Sequence, residues 1–169
     1  MKIVVQKPEE IEPKLKNVYY EMVCKNLRIN LDALEDRIEE AALLSFCIKE
    51  GNIIAIRAIK KPSALYIREI FSRAGLLNFY HSFKYESGWS VTLPEYRCQG
   101  LSFLLLKKLL SSINDNVYAT IRLSNIPPQK LLTKIGFVRS GNEFNGREEP
   151  IILWLYNHQL KIWRELSWL

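Results

Sequence analysis

Ser90-Val91-Thr92-Leu93-Pro94-Glu95-Tyr96-Arg97-Cys98-Gln99-Gly100-Leu101-Ser102, followed at once by Phe103-Leu104-Leu105-Leu106, is the stretch on which the fold turns. A strand-like run stops at a proline, a short basic turn with one glycine follows, and a leucine-rich helix begins without a spacer. The first N–H groups of a helix lack intrahelical partners and carry partial positive charge, so a phosphate or pyrophosphate suits this place. Gly100 lets the backbone approach such a group, Ser102 is small enough not to obstruct it, and Arg97 adds charge. Pro94 cannot extend a ladder and helps the strand part from its neighbour. The loop lacks the further glycines of a dinucleotide fingerprint and the Gly-Lys-Ser/Thr ending of a P-loop. From the residues alone it reads either as an anion site or as a plain strand-to-helix turn.

Working outward, the helix expected over Leu101 to Ile113 is apolar nearly all round, so more than one side should be buried. Downstream come a strand at Val117 to Leu123 and a short helix at Pro127 to Ile135, with prolines at its start and Gly136 at its end. A last hairpin, Phe137 to Phe144 with Ile151 to Tyr156, is expected across Asn145-Gly146. Upstream, Ile3 to Val5 reads as a first strand. Leu15, Val18, Tyr19, Met22 and Val23 then fall on one helical face, and Leu31, Leu34 and Ile38 mark a second short helix with Asn30 as its cap. Its acidic residues face solvent or a basic partner. Ala42 to Lys49 and Ile53 to Ile59 form a hairpin about Glu50-Gly51-Asn52, which Pro62 ends. Ile67, Ile70, Phe71 and Ala74 return to helical spacing, stopped by Gly75. The aromatics Phe79, Tyr80, His81, Phe83 and Tyr85 lead into a strand over Gly88 to Leu93. This order predicts an α+β fold, a mixed sheet with helices on its faces.

The 169 residues suit one domain, expected over 1–157, with 158–169 a tail whose Trp163 and Trp168 pack on the body or on a second copy. A composition of 48% hydrophobic and 25% charged residues supports a full core and argues against disorder. The formal charge of +6 suits an anionic ligand or partner. Nucleic acid is admitted by that charge, but the absence of a Lys/Arg-dense run counts against it. Cys24, Cys47 and Cys98 have no metal-ligand spacing and their odd number argues against a disulfide framework, so no metal site is expected. Cys24 and Cys47 fit apolar patterns as small core residues. The N-terminal MKIVVQKPEE lacks the apolar segment of a signal peptide, and no stretch reaches the roughly 20 apolar residues of a membrane span. A cytoplasmic location is expected.

Two motifs in this order resemble the GNAT N-acetyltransferase superfamily. Arg97-x-x-Gly100-x-Ser102 is similar to that family's Gln/Arg-x-x-Gly-x-Gly/Ala pyrophosphate loop, with Ser at the last position in place of Gly or Ala. Asn125-Ile126-Pro127-Pro128-Gln129-Lys130-Leu131-Leu132-Thr133-Lys134-Ile135-Gly136-Phe137 resembles its Asn, short helix and closing Gly-Phe segment. The resemblance implies a mostly antiparallel central sheet, splayed after the fourth main strand, and acetyl-CoA as acyl donor. Val91, Thr92 and Leu93 would pair with the pantetheine arm, and Arg97, Cys98, Gln99, Gly100, Leu101 and Ser102 would hold the pyrophosphate. Asn125 would either touch the cofactor or cap the helix that starts at Pro127.

The resemblance further implies direct transfer to an amine, of a small molecule or a protein, without a covalent enzyme intermediate. The acceptor ammonium must lose a proton, the oxyanion needs a hydrogen-bond donor, and the thiolate must be stabilised as it leaves. A backbone N–H near Val91 or Thr92 would serve the oxyanion. Glu86 is the candidate general base, its alternative being a surface carboxylate; His81 has the more convenient intrinsic pKa but sits in the aromatic stretch. Where many family members carry a Tyr for the leaving thiol this chain has Leu132, and Tyr118, Tyr156 and Ser124 are the nearby hydroxyls. Leu132 also admits a non-catalytic acyl-CoA-binding or sensing module. The Pro62 to Tyr85 segment, with Arg68 and Arg73, either walls the acceptor pocket or is a stabilising insertion. A homodimer is a further expectation.

Overall fold

A computed structural model of the chain describes residues 1–27 and 29–159. The tail expected over 158–169, with Trp163 and Trp168, lies from residue 160 onward outside the described residues. In chain order the elements are β1 (Lys2–Gln6), α1 (Pro13–Asn26), α2 (Leu34–Glu39), β2 (Leu43–Lys49), β3 (Asn52–Lys60), α3 (Ala64–Arg73), β4 (Tyr85–Thr92), α4 (Leu101–Ser111), β5 (Val117–Arg122), α5 (Ile126–Ile135), β6 (Val138–Asn145) and β7 (Pro150–Tyr156). The sheet has seven strands in the order β1-β2-β3-β4-β5-β7-β6. β1–β2, β2–β3, β5–β7 and β6–β7 are antiparallel, whereas β4–β5 is parallel. The β4–β5 register is Tyr85↔Val117 and Glu86↔Tyr118, so pairing covers only the first two residues of β4. The mixed α+β sheet expected from the order of elements, mostly antiparallel as the resemblance implied, is therefore the observed one.

The chain divides into two compact units, one of Met1–Lys61 and Ser87–Ile113, the other of Pro62–Glu86 and the residues from Asn114 onward. In the first, Tyr19, Met22 and Val23 of α1 and Leu34 and Ile38 of α2 pack with Phe46, Ile56, Ala58, Trp89 and Val91. Tyr19 meets Phe46 edge-on at 5.5 Å. Leu101 and Leu105 of α4 pack with Cys47, Ile54 and Ala55. Helices thus cover β2 and β3 on both faces, which is why β3 is buried over most of its length instead of alternating. Leu105, Leu106 and Leu109 are fully buried, and each contributes about 1.5–3 kcal/mol of transfer free energy.

In the second unit, Ile67, Ile70 and Phe71 of α3 pack with Phe83, Tyr118, Phe144 and Leu153. Phe71 lies 5.2 Å from Phe83 and 5.5 Å, edge-on, from Tyr118. The end of α3 is tied to β6, because the Asn142 N–H donates to the Ala74 carbonyl at 2.9 Å.

Three expectations need correcting. Asn30 does not cap α2: Ala33, in a left-handed conformation, precedes the helix, and the Asn30 side chain accepts from the Asp32 N–H at 2.9 Å. An Asx bond to the residue two ahead satisfies Asn30 locally, and the helix starts later. β4 begins at Tyr85, three residues before the expected Gly88, because Tyr85 and Glu86 have β5 as a partner. The last hairpin is not closed by Asn145-Gly146 as a two-residue turn. β7 starts at Pro150, the Gly146 N–H bonds to the Glu149 carbonyl at 3.0 Å, and the register shifts between Ser140 and Phe144. Pro150 pairs with Asn145, so the loop between them is longer than the dipeptide implied.

Candidate active site

The loop ahead of α4 is built from backbone conformations that few sequences tolerate. Leu93 donates its N–H to the Ile54 carbonyl of β3 at 3.0 Å, and a single 3-10 turn over Pro94–Tyr96 then carries the chain out of the strand. Cys98 has φ 59° and Gly100 φ 76°, so two of three successive residues are left-handed. Gly100 is the N-cap residue of α4 and, having no side chain, leaves the first-turn N–H groups without a side-chain cap. A Cβ placed on Gly100 would meet nothing within 4 Å, so the space on that side of the N-cap residue is open. Cys98, Gln99 and Gly100 are exposed, Leu101 is buried as an anchor, and Ser102 is half-buried. This is a cradle of backbone N–H groups at the positive end of a helix, chemically suited to an oxyanion.

Arg97 is exposed, and its Nε donates to the Thr92 carbonyl at 3.2 Å, which fastens the loop back onto β4. Of the strand residues expected to meet the pantetheine arm, the Leu93 N–H is thus taken by β3 and the Thr92 carbonyl by Arg97. Successive residues in a strand direct their backbone groups to opposite edges. The bond of Leu93 to β3 therefore turns the Thr92 N–H to the other edge, and Val91 shares the edge of Leu93.

Ser102 does more than leave room. Its hydroxyl accepts from Arg57 Nη1 at 2.9 Å and lies 3.0 Å from the Ser90 hydroxyl. Arg57 Nη1 also reaches Ser90 at 3.3 Å, and its Nε donates to Ser87 at 3.1 Å. Arg57 is 3% exposed. Residues three apart on a regular strand point to opposite faces, so Ser87 and Ser90 should not reach the same group. Trp89 explains why they do: its φ of 45° breaks the alternation between them. A bulky residue held in the left-handed region costs about 1–2 kcal/mol. Trp89 is fixed there by burial and by Lys60, whose ammonium lies 5.7 Å from the ring centroid. Arg57 is the site residue that sequence reading missed; the signal was an Arg within an otherwise apolar β3 core.

In the second unit, Glu86 is buried at 3% exposure, so it is not the surface carboxylate that the sequence left as an alternative. Its Oε1 accepts from the Thr120 hydroxyl at 3.0 Å. Tyr118, fully buried, has its phenol pushed far above the usual range by desolvation, then by the Glu86 charge and Tyr66. Tyr118 and Tyr156 are both buried, the latter stacked 5.1 Å from Phe137, so neither is an exposed acid. Leu132 is fully buried. Asn125 and Ser124 are exposed, and the Asn125 side chain makes no capping bond, which removes the capping alternative. The prolines at the first turn need no donor of their own there, so α5 begins without a side-chain cap. His81 is exposed and stacked on Tyr80 with centroids 3.7 Å apart. Arg73 is occupied by the Asn145 carbonyl and the Phe144 ring. Among the described residues no group of three or more His, Cys, Asp or Glu could hold a metal ion, and no helix is long and apolar enough to cross a membrane.

No family model matches the sequence, and no curated protein matches it. Solved structures do match over nearly the whole chain. An acyl-CoA N-acyltransferase from Pseudomonas aeruginosa aligns with a TM-score of 0.62 at 13% identity, covering 91% of this chain and 97% of the other. The ribosomal-protein-S18-alanine N-acetyltransferase from Escherichia coli gives 0.65 at 14% identity over 92% and 94%. A GNAT-family acetyltransferase from Streptococcus pneumoniae gives 0.60 at 16% identity over 92% and 99%. The chain has the GNAT acetyltransferase fold, and at these identities the likeness speaks for the fold alone.

Proposed function

We propose that the protein is an acetyl-CoA-dependent N-acetyltransferase that transfers the acetyl group directly to an amine. The observation that carries this reading is the open, side-chain-free N-terminus of α4, reached through left-handed Cys98 and Gly100. In this reading the backbone from Cys98 to Ser102 holds the pyrophosphate of the donor, Arg97 adds charge, and Val91 to Leu93 lie along the pantetheine arm. Asn125 is free of a capping role and available for polar contact with the cofactor.

The neutral acceptor nitrogen attacks the thioester carbonyl, the carbonyl electrons move to oxygen, their return breaks the C–S bond, and the departing thiolate takes up the second proton that the new amide nitrogen sheds. The Thr92 N–H is the oxyanion donor, since its edge of β4 is the one that Leu93 does not spend on β3. Glu86 takes the proton of the acceptor ammonium, directly or through a water, with Thr120 and Tyr118 holding the carboxylate. The thiolate leaves without a dedicated tyrosine, because Leu132 is a core residue. That same residue favours a second reading, an acyl-CoA-binding module without turnover.

Thermal stabilisation by acetyl-CoA tests both readings, and its absence would remove both. Release of free thiol from acetyl-CoA with a panel of amines supports the enzyme; stabilisation without thiol release on any amine supports the binding module.

A further inference from the structure

We propose that Arg57 is a positioning residue for the donor's pyrophosphate, relaying a buried positive charge to the start of α4 through the hydroxyls of Ser90 and Ser102. The inference rests on the acyl-CoA reading of the loop and adds to it a residue from the interior of the sheet.

The guanidinium is buried, and three serine oxygens are its side-chain partners. Among the described residues no carboxylate pairs with it, and the charged-group neighbour it senses is the phenol of Tyr19. Tyr19 is itself buried and held neutral by desolvation. A buried charge without a counter-charge is costly, and stability alone would favour an apolar residue there. Desolvation accordingly draws the guanidinium down to about 10 from its usual value, so it still carries its proton at neutral pH.

The donor and acceptor count of the two hydroxyls gives that charge a route outward. Ser90 and Ser102 each accept from Nη1, and between them, 3.0 Å apart, one hydroxyl donates to the other. One hydroxyl hydrogen of the pair then remains for an acceptor outside the network. With Ser90 donating within the pair, the remaining hydrogen is that of Ser102, the second residue of α4 and half-buried, beside first-turn N–H groups that no side chain caps. A dianion in the cradle supplies the counter-charge that the fold omits. The same network gives a reason for Ser at the position where similar loops carry Gly or Ala: only a hydroxyl can accept from Arg57 and donate onward.

The experiment uses the full chain and two probes, acetyl-CoA and S-acetylpantetheine, which shares the thioester and arm but lacks the pyrophosphate. Arg57→Met should leave the melting temperature of the unliganded protein unchanged or raised. It should weaken acetyl-CoA binding, measured by calorimetry, by about tenfold or more, as the loss of one partly screened charge implies. S-acetylpantetheine affinity, followed by NMR titration, should not move. Ser102→Ala, which keeps the charge but cuts the relay, should show the same split between the probes and lower the melting temperature; it decides the matter if Arg57→Met does not fold. Unchanged acetyl-CoA affinity, or equal losses for both probes, would overturn the proposal while leaving the acyl-CoA reading intact. A wild-type chain that binds neither probe would instead remove the acyl-CoA reading and this inference with it.

Discussion

At Gly100 two demands meet that a single pair of substitutions can separate. The left-handed φ of 76° costs any residue with a Cβ, while the space that the Cβ would enter is open. Gly100→Ala should therefore lower stability by about 1–2 kcal/mol and do little else to the fold. Gly100→Asp should cost no more stability, since Asp tolerates this region better, yet place a carboxylate where the phosphates are proposed to bind. We expect acetyl-CoA affinity to fall by about a hundredfold or more for Asp and far less for Ala, read by calorimetry beside chemical denaturation. Equal losses would mean that the loop is not the anion site. Glu86 allows a similar separation. Glu86→Gln keeps the shape and the bond from Thr120 but cannot take a proton, so transfer should slow by about 10²-fold or more with acetyl-CoA affinity unchanged. Full activity in that variant would remove Glu86 as the base.

At the scale of elements, the junction of α3 with β6 is where backbone geometry is most constrained. Gly141 has φ 72°, and a Cβ there would sit 2.3 Å from the Ala74 carbonyl oxygen, which already accepts from the Asn142 N–H. Gly141→Ala should destabilise the protein by about 2–4 kcal/mol, seen as a lower denaturation midpoint; a change below 1 kcal/mol would show that the junction yields easily. The sequence carried no sign of this contact. Glycine at 141 interrupts a strand pattern, but the carbonyl it makes room for comes from a residue 67 positions earlier, a distance that local pattern does not span. The same limit applied to Arg57. Periodicity placed it on a buried strand, and the loop motif placed Ser102 at a helix start, but only the parity break at Trp89 brings Ser87 and Ser90 to one guanidinium. By contrast, the 90–102 loop, the element order and the burial of α4 were legible, because each is set by neighbours in sequence: a proline, a glycine and an apolar period. Element boundaries slipped where a side chain or a distant strand competed, as at Asn30 and at Tyr85.

Across the molecule, each compact unit encloses a buried phenol: Tyr19 in the first and Tyr118 in the second. Both are pushed up, chiefly by desolvation; the Glu86 charge adds to the rise at Tyr118, and the Arg57 charge opposes it at Tyr19. The sign of the linkage follows directly. A raised acid keeps its proton in the folded state where the unfolded chain, near the ordinary value of 10.0, would lose it. The stabilising contribution is therefore complete below pH 10 and is lost as pH rises beyond it, at about 1.4 kcal/mol per pH unit for each phenol. Of the eight tyrosines, at least these two should stay silent in a rapid alkaline titration followed by phenolate absorbance, ionising only as tertiary structure is lost. Tyr19→Phe and Tyr118→Phe should each remove one late-ionising group and flatten the fall of stability above pH 10. Because the two phenols lie in different units, the variants also report each unit separately: if the late step belongs to one unfolding event, the remaining phenol in either variant should ionise at the same moment as near-UV dichroism collapses. Ionisation of all eight phenols before that collapse would show that neither interior excludes hydroxide as tightly as the packing around Phe46 and Phe71 implies.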